Sequence, residues 1–126
     1  MTVITKLWQD EALRMDPERL AAIYVDMGEA RAQVAVSRAM EDLAITLERI
    51  KGLARVGRLA DLAEKALRVR DIAEPLGLSS LSKAAANLAE VGGTKNPVAL
   101  AATLARLERV ANRSLKMVWD LQDLSG

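Results

Sequence analysis

The side chains able to do chemistry in this chain are carboxylates, lysines, arginines and hydroxyls, because its 126 residues include no histidine and no cysteine. Without thiols there can be no disulfide, thiolate metal site or cysteine nucleophile. Without imidazoles there is no serine–histidine hydrolysis, no histidine metal ligand and no phosphohistidine. The Glu-x-x-His motif of carboxylate-bridged di-iron bundles is excluded with them. No nucleophile–base pair and no metal constellation can be assembled from what remains, so neither an enzyme nor a cofactor is expected.

The densest set of charged side chains surrounds Leu67: Glu64, Arg68, Arg70, Asp71 and Glu74. Read as a helix whose core stripe passes through Ala66, Val69 and Ala73, this segment turns Leu67 about 130° away from the stripe. Glu64 and Asp71 then lie one turn to either side of it. An apolar side chain with a polar rim has the make-up of a small contact hot spot. A lone leucine on a helix surface is equally ordinary. Arg70 has two readings as well. Its guanidinium can hold a phosphorylated aspartate or a sulfate by paired hydrogen bonds, or it can pair with Glu74 one turn on.

Other candidates reduce to structure. Glu41, Asp42 and Glu48 share a helix, but Asp42 falls off the Glu41/Glu48 line, as on a solvated face. Gly92-Gly93-Thr94-Lys95 superficially resembles a phosphate-binding loop; it lacks the preceding strand and the full spacing, and reads as a connecting turn. Trp8 and Trp119 lie near the two ends, where they either pack together or form a dimer contact. Eighteen basic against seventeen acidic residues give a net charge of +1, and no basic cluster alternates with aromatics. No nucleic-acid partner is expected. No apolar run approaches the roughly 20 residues that span a bilayer, and the first residues, Met1 to Lys6, do not read as a signal peptide. The expectation is a cytoplasmic protein with no membrane partner.

The elements that must position these groups read as helices throughout. Hydrophobic residues make up 51% of the chain and charged residues 28%, enough for one buried core and a solvated surface. Asp16-Pro17 and Asn96-Pro97 each place a capping side chain before a proline at the first helical position. Apolar stripes at alternating steps of three and four mark the helices. One runs through Val36, Met40, Leu43, Leu47, Ile50 and Ala54, and a second through Leu59, Leu62, Ala66, Val69, Ala73 and Leu76. A third takes Leu81, Ala84, Ala85, Leu88 and Val91, opened by a cap at Ser79 or Ser80. The last carries Leu100, Leu104, Leu107, Ala111, Leu115 and Val118. Pro75 should loosen the end of the second of these helices, and Gly77 suits the left-handed residue that closes it. The fold class is therefore all-α: one domain over 1–126, an up-down antiparallel four-helix bundle. Residues 1–15 form an N-terminal extension with a short helix from Thr5 to about Leu13, and a second short helix runs from Pro17 to near Gly28.

The stretch from Ala66 to Gly77 resembles the central signature of histidine-containing phosphotransfer (Hpt) domains, roughly Ala-His-x-Leu-Lys-Gly-x-Ala-x-x-Leu-Gly. Ala66, Ala73, Leu76 and Gly77 match it, Val69 and Arg70 are conservative replacements, and Asp71 stands at the family's glycine. Leu67 stands at the phosphorylated histidine. Asp16-Pro17-Glu18-Arg19-Leu20 looks like the usual Hpt opening, and the likeness extends over about residues 16–118. It implies a non-catalytic, Hpt-like protein of bacterial two-component phosphorelay. Such a protein would bind a response-regulator receiver domain or a sensor histidine kinase without carrying phosphate. The partner face it implies comprises Glu64, Leu67, Arg68, Arg70, Asp71 and Glu74, with Arg70 in place of a phosphate-neutralising lysine. Asp71 counts against close docking, since its carboxylate meets an acidic receiver pocket where the family offers glycine. The rival expectation is a structural or assembly bundle that forms a homo-oligomer, such as a homodimer.

Overall fold

Proline and glycine set the helix boundaries in the computed structural model, which describes residues 13–125. Asp16 Oδ1 accepts the Glu18 N–H at 3.1 Å and caps α1 (Pro17–Met27). Gly28 alone separates α1 from α2 (Glu29–Arg55). Residues 56–58 lead to α3 (Leu59–Ala73), 74–78 to α4 (Ser79–Gly92), and 93–96 to α5 (Pro97–Ser125). Asn96 Oδ1 accepts the N–H groups of Val98 and Ala99, each at 3.1 Å, so the second cap-plus-proline device works as the first does.

α3 packs on α2 and on α4, and α4 packs on α5, while α2 and α5 meet in few places. Short connections between extensively packed neighbours make successive helices antiparallel, and the described residues form an all-α bundle. The apolar stripes face inward. Met40, Leu43 and Ile50 of α2, Leu62 and Val69 of α3, Leu81 and Leu88 of α4, and Leu107 and Val118 of α5 are fully buried. Alanines fill positions between them, with Ala66, Ala73 and Ala85 at zero exposure. Small side chains at the contacts let the helix axes approach closely. Among the described residues no helix is long and apolar enough to cross a membrane.

Where the structure departs from the sequence pattern, backbone hydrogen bonding explains it. The stripe through Leu76 suggests a longer α3, but the helix stops at Ala73 because Pro75 has no N–H to continue the ladder. The chain then closes in a Schellman turn: Leu78 N–H donates to Ala73 O at 3.1 Å and Gly77 N–H to Glu74 O at 3.0 Å. Gly77 takes the left-handed conformation at φ 75°. Gly57 closes α2 the same way, at φ 74°. Neither Ser79 nor Ser80 caps α4; its N-cap is Leu78, with no side-chain cap. Ser80 is engaged elsewhere, its Oγ accepting the Arg14 N–H at 2.7 Å while its own N–H donates to Arg14 O at 3.2 Å. Along α5 the buried line passes through Ser114, and Leu115 sits half-buried beside it.

The helices differ in length. α2 and α5 have 27 and 29 residues, α3 and α4 have 15 and 14. At 1.5 Å per residue the long pair spans about 40 Å and the short pair about 21 Å. Residues 14–19 bind the α3–α4 turn, so α1 sits at the end where the long pair runs past the short one. The helix expected from Thr5, like Trp8, lies outside the described residues.

Candidate functional site

The surface around Leu67 is built by α3 and α2 together. With Leu62, Ala66, Val69 and Ala73 of α3 turned inward, Leu67 emerges at mid-helix, 37% exposed. α2 runs alongside and contributes Asp42 and Arg49, two turns apart on one face. These two, with Glu64, Lys65, Leu67, Arg68 and Asp71, line a shallow groove of about 550 Å³.

Its charges are arranged by identifiable partners. Arg68 Nη2 meets Asp42 Oδ2 at 2.5 Å and ties α3 to α2 across the groove floor. Thr46, buried, donates its hydroxyl to the Asp42 carbonyl at 2.7 Å and lies 3.4 Å from Oδ1, leaving Oδ2 for Arg68. Asp71 Oδ1 accepts from Arg70 Nε and lies beside Arg70 Nη2, both at 3.0 Å. Among the described residues Arg49, Glu64 and Lys65 have no ion-pair partner. The groove thus holds three acids and three bases, of which two cations and one anion are unpaired.

Of the six residues expected on a partner face, Glu64, Leu67, Arg68 and Asp71 come together in the groove. Arg70 and Glu74 do not line it. Arg70 reaches it only through Asp71, and the Arg70–Glu74 pair does not form. Glu74 turns towards α4, where Ser82 Oγ donates to its carboxylate at 3.3 Å, and its carbonyl accepts Arg19 Nη1 at 3.0 Å. Proximity to the helix end decides this: at Glu74 the chain is already turning towards α4.

Several of the remaining candidates have structural partners. Asp42 is held by Arg68, and Glu48 pairs with Lys51 at 3.2 Å. No group of three or more acidic side chains among the described residues could hold a metal ion. In the Gly92–Lys95 turn both the N–H and the hydroxyl of Thr94 donate to Val91 O, at 2.9 and 2.7 Å. That makes it a helix-to-helix connection. Trp119 is 42% exposed. Three groove residues were not singled out from sequence: Asp42 as a partner of Arg68, and Arg49 and Lys65. The seven-residue spacing of Asp42 and Arg49 was a usable signal, but only for a reader who knew which face of α2 adjoins α3.

No family model, curated protein or solved structure matches the chain. The groove presents an exposed leucine among paired and unpaired charges, the make-up of a small contact surface.

Proposed function

We propose that this chain is a non-catalytic, Hpt-like docking module of bacterial phosphorelay signalling, which binds a receiver domain or a sensor kinase through the groove around Leu67 and carries no phosphoryl group. The observation that carries the reading is Leu67 itself. By the sequence resemblance it stands at the signature's histidine, and it lies exposed at the middle of α3 in a groove shared with α2. An imidazole there would face solvent, accessible to an acyl phosphate. A leucine there cannot form the covalent intermediate, because it has no lone pair and no titratable proton. What it retains is a contact centre, with the unpaired Arg49 and Lys65 available to an acidic partner surface.

The test is a binding titration against a panel of receiver and kinase domains. Leu67→Glu and the double variant Arg49→Glu/Lys65→Glu should each weaken binding at least tenfold. Arg70→Ala, outside the groove, should change it by less than threefold. Full retention of binding by Leu67→Glu would place the interface elsewhere, and no binding to any receiver or kinase would overturn the reading.

A further inference from the structure

The junction of α1 and α2 has the build of an exchange hinge. Gly28 is the only residue between the two helices, at φ 82° and ψ 157°, a region essentially closed to residues with a Cβ. The helical ladder runs up to it and resumes after it: Gly28 N–H donates to Tyr24 O, and Gly28 O accepts Ala32 N–H, both at 2.9 Å. Between those bonds lies a matched set. The N–H groups of Glu29, Ala30 and Arg31 open α2 with no capping side chain, while the carbonyls of Val25, Asp26 and Met27 close α1. Four residues apart, they are each other's partners in a continuous helix.

The arm that this hinge carries is attached by hydrogen bonds and by the partial burial of Met15, Leu20, Ile23 and Tyr24. No residue of α1 is buried, and Leu20, Ile23 and Tyr24 only lean on the core. Its bonds all go to one place, the α3–α4 turn: Asp16 N–H to Gly77 O at 2.7 Å, Arg14 with Ser80 twice, and Arg19 Nη1 to Glu74 O. Each of these would form equally well with the turn of a second, identical chain. Three large apolar side chains near the hinge stand exposed as well: Val25 at 82%, Met27 at 36% and Val34 at 53%.

From this we infer that the arm of residues 13–27 exchanges between two copies of the chain, giving a swapped dimer in which α1 and α2 run on as one helix. Straightening at Gly28 carries the arm away from its own α3–α4 turn and towards that of the partner. It completes the three open backbone bonds, relieves the glycine-only conformation, and brings Val25, Met27 and Val34 to the new interface between crossing helices. The closed and open forms share the arm's hydrogen bonds to the α3–α4 turn, so their balance depends on the hinge and on protein concentration. This inference does not depend on the docking role of Leu67.

The decisive experiment exploits the absence of native cysteine. Arg14→Cys and Ser80→Cys are placed at two positions in direct contact, where Ser80 N–H donates to Arg14 O and Arg14 N–H donates to Ser80 Oγ. A bond formed in the closed monomer links one chain to itself, whereas in the exchanged dimer it links two chains. The double-cysteine protein is refolded at high concentration, oxidised and run on a denaturing, non-reducing gel, alone and with Gly28→Ala. Alanine suits the straight helix and not the bend. The expected result is a covalent dimer, its fraction raised several-fold by Gly28→Ala, and a molar mass by light scattering twice the 13.7 kDa of one chain. Covalent monomer alone in both proteins would overturn the inference. A Gly28→Ala chain that unfolds instead of dimerising would overturn it too, as would a dimer by light scattering whose disulfides stay within each chain.

Discussion

The backbone N–H of Asp16 donates to the carbonyl of Gly77 at 2.7 Å, and the Asp16 carbonyl occupies the space where a Cβ on Gly77 would stand. One contact thus joins the cap of α1 to the residue that closes α3, 61 positions on in the chain. Gly77 is constrained twice over, by its left-handed backbone and by the chain lying against it.

That double constraint separates two glycines with nearly the same φ. Gly57→Ala meets no atom within 4 Å and should cost only the left-handed penalty, about 1–2 kcal/mol. Gly77→Ala must also displace the Asp16 backbone, and the added overpacking brings its cost to roughly 2–5 kcal/mol. Urea unfolding of both variants checks this. Equal midpoints would mean that segment 14–19 yields freely.

Leu67 should be dispensable for stability. Leu67→Ala removes an exposed side chain, and its unfolding free energy should stay within about 0.5 kcal/mol of the parent. Leu62→Ala, on the same helix at zero exposure, should lose about 2–5 kcal/mol. A loss for Leu67→Ala approaching that of Leu62→Ala would show that the leucine is kept for packing, and would remove the reason for assigning it a partner.

The groove also predicts what an imidazole at position 67 would do. Leu67→His alone should accept phosphate poorly from a phosphorylated receiver, because the Asp71 carboxylate lines the same groove. Leu67→His with Asp71→Gly should accept it better, read as acid-labile label on the protein. Efficient transfer by the single variant would show that Arg70, paired to Asp71 at 3.0 Å, already cancels the carboxylate's repulsion.

Much of the fold was legible because its signals are local. Asp16-Pro17 and Asn96-Pro97 start helices through contacts two and three residues away, Gly57 and Gly77 end them, and the stripes of three and four report buried faces whatever lies opposite. The exposure of Leu67 followed from the same periodicity. The serine cap of α4 failed as a forecast because Ser80 is claimed by Arg14, 66 residues away, a partner no local pattern names.

The sequence by itself determined an all-helical chain that can never hold phosphate on histidine, since that depends only on which residue types are present. Only the tertiary structure decided which charges share the surface of Leu67. Packing α2 against α3 brought in Asp42 and Arg49, and the turn towards α4 drew Glu74 away. It also decided that residues 14–19 clasp the α3–α4 turn. Helical periodicity says which way a side chain points from its own axis, but not which neighbouring axis lies there, and the groove is made at that meeting of helices.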